Sequence, residues 1–471
     1  MSAKPAPGRM VAALVLFCTC IYVWTAPGRI QFPDDEIVYQ TTAAMVERQN
    51  LAIPGISKPT GEPKGRPPGT FGWEYGRDGQ RYGFFGHGLS VAALPAYALG
   101  HATYDTVPHT WRHAVRSDHY FFHTRSPHGD WTRLLVSLTN CVVTGLAVGA
   151  CALWLLWLGC QRRAALLTAL LYGLGTAAWP YSRTFLSEPL SGLVLLSIAA
   201  AITLFHRQRA QGRAHVAPLW VAGALAGFSV HVHILNLAAL PPLMAYALVP
   251  LWRAGELRRF RRAWLGGTLL GTLLLGVWLW GQYWRFGNPF ETGRMGYYSH
   301  SVAPFEAMAA QLVAPGRSLF VYAPVIALGL WGLRRAWAKV PAAVWMVASV
   351  AGLRYLMIST RSDWWGGWAI GPRHLIPVMG LLLLPLAFAL TGFRQRMAAK
   401  PLREGLWVCG LLGSVALSGY LACYSIFEWL WRLAIDPAIT AQGMMDVSHW
   451  QWRASPLVGF ASQDVDMLSR G

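Results

Sequence analysis

The chain is poor in charge. Of its 471 residues only 13% are Asp, Glu, Lys or Arg, against about a quarter in soluble domains. Hydrophobic residues make up 54% and the mean hydropathy is +0.34. A string of soluble globular domains is excluded on that ground. Cysteine is sparse too. The seven residues, Cys18, Cys20, Cys141, Cys151, Cys160, Cys409 and Cys423, lie in or at the ends of apolar runs. No loop carries a disulfide or zinc-finger framework, and packing is the plain reading of each thiol. Also missing are repeats of solenoid period, low-complexity tracts, a glycine-rich phosphate loop, a Ser-His-Asp order and zinc-ligand spacing. Nucleotide or metal chemistry of the soluble type has no signature here.

What the chain does have is long apolar runs, such as "LLVSLTNCVVTGLAVGACALWLLWLG" and "WLGGTLLGTLLLGVWLWGQYW". Each is long enough for a membrane span of about 20 residues. The pattern predicts an all-α polytopic membrane protein with about eleven spans. They fall near 10–27, 132–158, 164–180, 187–205, 218–234, 236–252, 263–283, 319–333, 341–358, 374–391 and 406–427. The first, "MVAALVLFCTCIYVWTA" after the basic start "MSAKPAPGR", reads as an uncleaved helix. The organisation expected is a transmembrane module over 1–427, with a long first outer loop at 28–131, and a short outer tail at 428–471.

Charge placement orients the module. The pieces assigned to the cytoplasm are 1–9, "CQRR", "HRQRAQGRAH", "RAGELRRFRR", "RRAWAK" and "RQRMAAKPLRE". They hold 19 of the 40 Lys and Arg but only two of the 21 acids, Glu256 and Glu404. Basic residues accumulate on the cytoplasmic side of membrane proteins. The net charge of +19 is therefore topology, and a nucleic-acid partner loses its only support. One apolar run, "GFFGHGLSVAALPAYALGHA" (83–102), would reverse this orientation if it spanned. Its Gly, His and Pro content suits a juxtamembrane helix lying at the outer surface. The Pro- and Gly-rich "IPGISKPTGEPKGRPPGTFG" reads as a loop.

The ionisable residues at outer helix ends are then the candidate site. They are Asp34, Asp35 and Glu36 in "QFPDDEIVYQ", Arg133 at the start of the second span, and Arg183 and Glu188 in "YSRTFLSEPL". Further along come His231 and His233 in "SVHVHILN", Arg354 and Arg361, and Arg373 and His374 in "GPRHLIP". Such residues normally face a protein interior or a polar cavity. Arginines there can hold a phosphate, and a carboxylate can take a proton from an attacking hydroxyl. Each also has a plain reading, as a solvated loop start, an interfacial anchor or a packed helix residue. Glu188, directly before Pro189, is expected to pair with Arg183.

The combination resembles the GT-C membrane glycosyltransferases, and within them the bacterial branch related to protein O-mannosyltransferases and the lipid A aminoarabinose transferase. The blocks that carry the resemblance are the Asp-Glu pair after the first span, "GRDGQRYGFFGHGLSVAALPAYALG", "GDWTRLLVSLTN", "YSRTFLSEPL", "FGNPFETG", "PGRSLFVYAPV" and "GGWAIGPRHLIPV". It implies a glycosyltransferase that moves a sugar, with inversion, from a polyprenyl-monophosphate carrier to a hydroxyl on the outer face of the cytoplasmic membrane. It makes Asp35 the base, with Asp34 an adjacent rival and Glu36 beside them. Arg133, Arg183 and Arg373 become the donor-phosphate ligands, with Glu188, His231, His233, Arg354 and His374 around the cavity. No cofactor is implied, and a divalent metal is not excluded. The partners implied are the lipid-linked sugar donor, a lipid, glycan or protein acceptor, and membrane lipids. The other readings are a ligase or polymerase using a polyprenyl-diphosphate donor and, from another class, a lipid or sugar transporter. The tail of about 44 residues and the extra acid Asp34 depart from the relatives that modify proteins or lipid A.

Overall fold

A computed structural model describes residues 7–54, 72–115, 126–294, 303–367, 369–424 and 449–459, with Leu433, Pro437 and Ala441. The Pro- and Gly-rich loop at 55–71, Trp368 and most of the tail after 424 lie outside the described residues. Among the described residues, seven helices are long and apolar enough to cross a membrane: Pro127–Trp157, Glu188–Ala210, Ile234–Arg253, Arg261–Phe286, Pro341–Ser359, Arg373–Leu390 and Pro401–Leu421. Two shorter apolar helices, Gly8–Trp24 and Ala217–Val232, fall on two more of the expected spans. The stretch expected at 164–180 is broken into Arg162–Leu174 and the start of Ala178–Ser182. The one at 319–333 is broken into Leu319–Tyr322, Pro324–Gly329 and Leu330–Gly332, followed by Leu333–Lys339. The break has a local cause: Ala323 precedes proline and leaves the helical region, at φ −145° and ψ 65°.

The segment at 83–102 splits into Gly88–Ala92 and Leu94–Thr103. Ten residues of helix reach about 15 Å, half of a bilayer's hydrocarbon core. Neither piece alone is long enough to span, and the segment is absent from the helices that could cross a membrane. Among the described residues the sheet content is one hairpin, Trp73–Tyr75 paired antiparallel with Arg81–Gly83.

The spans differ in what covers them. The Arg373–Leu390 helix is 89% buried inside the protein and Arg261–Phe286 only 17%. The latter shows Leu265, Leu269, Leu273, Val277, Trp280 and Trp284 outward, a stripe that suits hydrocarbon. At one end of the bundle the basic segments meet. Arg207 donates to the Leu156 carbonyl at 3.0 Å, Arg209 reaches Glu256 at 3.3 Å, and Arg396 reaches Glu404 at 3.2 Å. The opposite helix ends gather the acids and arginines of the candidate site. The described tail folds back to that same end, where the His449 carbonyl accepts from the Gly316 N–H at 3.1 Å.

Candidate active site

The acid triplet opens the helix Pro33–Glu47. Pro33 takes a first-turn position, where a missing N–H costs nothing, and Asp34, Asp35 and Glu36 face the positive end of the helix dipole. Successive helical positions point apart, so three adjacent acids have three different fates.

Glu36 has no exposed surface. Arg133 holds it with a two-pronged bond, Nε to Oε2 at 2.9 Å and Nη2 to Oε1 at 2.6 Å, and Gln40 adds a third at 2.5 Å. The Arg133 guanidinium also lies 4.4 Å over the Tyr39 ring. Its helix begins at Pro127 behind Ser126, whose hydroxyl caps the Gly129 N–H at 3.0 Å. Arg133 is thus an internal brace across 97 residues of sequence.

Asp35 is fully buried as well. Its Oδ2 accepts from the Phe185 N–H at 2.9 Å, while Oδ1 has no partner among the described residues. Asn140 donates to the carbonyls of Thr184 and Leu186, both at 2.8 Å. The loop at 184–187 is therefore clamped from two sides. Burial, the largest influence on it, pushes the Asp35 carboxyl well above its ordinary range.

Asp34 is the one acid of the three with open surface, its side chain 19% exposed. Its Oδ2 accepts from Arg373 Nη2 at 3.0 Å. The same guanidinium donates from Nε to Glu188 at 2.7 Å and from Nη1 to the Gly366 carbonyl at 3.1 Å. Gly366 and Gly367 both adopt positive φ, +81° and +69°, a backbone that side chains resist. That turn lays the carbonyl against Arg373. Three of the five N–H groups of an arginine are used in this way. Asp34, Arg373 and Glu188 form one chain of charge across three helix ends.

The expected pairing of Glu188 with Arg183 is replaced by this one. The loop at 184–187 separates Ala178–Ser182 from the helix that starts at Glu188, so helical spacing does not bring the two together. Arg183 turns to backbone instead, with Nε donating to the Thr25 carbonyl and Nη1 to that of Tyr424 at 2.9 Å. His231 also serves packing. Its Nε2 lies 2.8 Å from the Leu274 carbonyl on a neighbouring helix, and its ring stacks on Phe228. His233 caps the short helix Ile234–Ala239, accepting from the Leu235 N–H at 3.1 Å. Its ring is 6.4 Å from that of His374, whose Nδ1 stands 3.9 Å from Glu188. Arg354 joins them from below, donating to the His374 carbonyl at 2.5 Å and to Asn236 at 3.0 Å.

Four arginines, Arg354, Arg294, Arg361 and Arg373, act electrostatically on His233. Of these, Arg361 is paired with Asp363, Nε to Oδ1 and Nη2 to Oδ2 both at 2.7 Å, and Arg373 with Asp34 and Glu188. Arg294, in the segment after "FGNPFETG", went unremarked in the sequence, as did Arg317 and His87. Arg294 lies over the rings of Phe84 and Phe85 at 4.5 and 4.7 Å. Arg317 is 1% exposed and bonds the Ala369 carbonyl, and burial takes its pKa down to about 10. His87 arrives through contact between backbones. A Cβ on Gly86 would stand 2.3 Å from the His231 carbonyl oxygen, so only glycine admits this approach. Burial, then Arg285 and His231, hold the His87 pKa well below its usual value. The signal available for all three was position: each sits in or beside one of the blocks that carry the resemblance, "FGNPFETGR", "PGRSLF" or "FFGHG".

No protein-family model matches the chain, and no curated protein matches it. Solved structures do. ArnT from Cupriavidus metallidurans in the apo state aligns with a TM-score of 0.54 and 14% identity, over 96% of this chain and 75% of that one. The same protein bound to undecaprenyl phosphate gives 0.51 and 16%, over 97% and 76%. The apo oligosaccharyltransferase of Archaeoglobus fulgidus gives 0.50 and 10%, over 95% of this chain and 60% of that one. The likeness is one of fold. The chain shares the membrane-helical fold of these proteins.

Proposed function

We propose that this GT-C chain is a glycosyltransferase that moves a sugar from a polyprenyl-monophosphate carrier to a hydroxyl acceptor, with inversion. The observation that carries the reading is the partly open chain Asp34, Arg373, Glu188 beside the arginines around His233. The fold supports it, since one protein with that fold is described bound to undecaprenyl phosphate. An apolar cavity of about 360 Å³, lined by Ile198, Leu219, Val230, Leu240, Met244 and Leu275, offers part of the isoprenoid tail a place between helices. It borders the poorly covered Arg261–Phe286 helix, so a lipid can enter from the bilayer.

In this mechanism the donor phosphate takes the N–H groups that Arg373 has left, with Arg294 adding charge. Asp34 removes the proton of the acceptor hydroxyl as its oxygen attacks the anomeric carbon from the face opposite the phosphate. The bond from that carbon to phosphate oxygen breaks, and polyprenyl phosphate leaves with its growing charge held by arginine. Asp34 takes the role in place of Asp35 because its carboxylate alone has surface to offer. Arg133 and Arg183 brace the cavity, their donors being spent on Glu36 and on backbone.

The test is a membrane assay with labelled polyprenyl-phosphate sugars, followed by mass spectrometry of the product. Transfer from a monophosphate donor is the expected result, and transfer from a diphosphate donor alone replaces this reading with a ligase or polymerase. Arg373→Ala is expected to raise the KM for donor by about 10–150-fold, the equivalent of the roughly 1.5–3 kcal/mol of a hydrogen bond to a charged group. An unchanged KM removes Arg373 from the phosphate site.

The proposal puts the site on the outer face of the cytoplasmic membrane, with the N-terminus inside, from the charge asymmetry of the sequence. Single cysteines introduced at 105, 128 and 450 should react with an impermeant thiol reagent on intact cells. One at 258, in "RAGELRRFRR", should react only after permeabilisation. The reverse pattern turns the module over.

A further inference from the structure

Away from the acid triplet, the other end of the same helix meets two histidines. Glu47 closes Pro33–Glu47, His101 sits in the last turn of Leu94–Thr103, and His128 lies in the first turn of Pro127–Ser137. One ligand atom from each, a carboxylate oxygen and two imidazole nitrogens, lies within 4.8 Å of the others. Asp35 is twelve residues back along the helix, about 18 Å at the helical rise. The group is therefore separate from the proposed chemistry.

We propose that Glu47, His101 and His128 bind a zinc-class divalent cation. His101 Nδ1 and His128 Nε2 stand 3.1 Å apart. Two nitrogens on a tetrahedral zinc, each about 2.0–2.1 Å from the ion, lie about 3.3 Å apart, so the rings already stand close to a shared ion. Two imidazoles and a carboxylate are a donor set suited to Zn²⁺, with water as the fourth ligand. Support for the ligands is built in. Tyr97 donates its hydroxyl to Glu47 Oε1, which fixes the carboxylate. The Tyr104 ring meets His128 edge-on with centroids 5.0 Å apart, and Trp131 donates to Thr103 at 3.1 Å, tying the two histidine-bearing helices together. Among the described residues Arg48 pairs with Glu47, 4.0 Å from Oε2, and is exposed. Glu47 and His101 are open to solvent and His128 is half-buried, so an ion has an entry path. It would pin three separate helices at one point, at the mouth and not in the reaction.

The full chain in detergent, with any polyhistidine tag removed, is titrated with Zn²⁺ against a chromophoric chelator. One equivalent per chain is expected, with a rise in the thermal unfolding midpoint. Co²⁺ in its place should give the intense visible absorption of a tetrahedral site. His101→Ala with His128→Ala should weaken zinc at least about tenfold and abolish the midpoint rise, while leaving the metal-free midpoint close to wild type. Glu47→Gln should weaken binding in the same direction. Weakly absorbing, octahedral cobalt, no stoichiometric zinc, or equal uptake by wild type and the double variant overturns the site. None of these readouts depends on sugar transfer, so the site and the proposed activity fail separately.

Discussion

Asp34→Asn is expected to cut turnover by roughly 10²–10⁴-fold, the range that a positioned general base supplies. Asparagine keeps the shape and can still meet the Arg373 fork through its carbonyl, so folding and donor binding should survive. Asp35→Asn makes the contrast. Burial lifts that carboxyl well above its ordinary range, so it takes up a proton more readily than a free carboxyl does, and asparagine imitates the protonated form. Stability lent by a carboxyl with a raised pKa is full below the ordinary carboxylate range and is lost as pH climbs through the folded value. The replacement amide does not titrate, so the variant should be no less stable than wild type at neutral or mildly alkaline pH. Its turnover should stay within a few-fold. Steady-state rates at saturating donor decide between the two acids. A dead Asp35→Asn protein with correct fold, next to an active Asp34→Asn, moves the base by one residue.

The second large effect is on the fold. Arg133→Ala strands Glu36 with no exposed surface and only Gln40 as a remaining partner. Breaking a buried pair on one side costs about 3–5 kcal/mol, because a charge stays behind in a poor dielectric. The thermal midpoint or detergent resistance of the purified protein should fall sharply. Glu36→Gln added to Arg133→Ala removes the orphaned charge and should recover a good part of the loss. If Arg133→Ala unfolds normally but fails only in donor binding, the residue is a phosphate ligand and not a brace.

Much of the architecture could be read from apolar runs and from the placement of arginine, because both follow from the membrane as solvent. The run at 83–102 forms two short helices, Gly88–Ala92 and Leu94–Thr103, neither long enough alone to span. Where proline interrupts, at Ala323 and Pro324, hydropathy saw one run and the backbone made several pieces. The site was legible as a list and not as a set of partners. Adjacent letters such as "DDE" say nothing about which carboxylate is buried. That depends on Phe185, Arg133 and Arg373, which come from distant segments. The Arg183 to Glu188 spacing suggested a local pair, but an irregular loop at 184–187 intervenes. Arg294, Arg317 and His87 lie in or beside recognisable blocks, but only tertiary packing brings them to the same end of the bundle.

The bond between Asp34 and Arg373 spans 339 residues of chain, and that separation has a consequence for biogenesis. At about 5–20 residues per second, synthesis needs roughly 20–70 s after Asp34 emerges before its guanidinium partner exists. Glu188 waits too, for the 185 residues that separate it from Arg373. Through that interval both carboxylates must be kept wet, or screened by lipid headgroups and insertion machinery. The late helix then closes three charges in one step. A nascent chain stalled before residue 373 would carry open acids at the membrane surface, a mark by which a membrane protease could tell unfinished copies from finished ones.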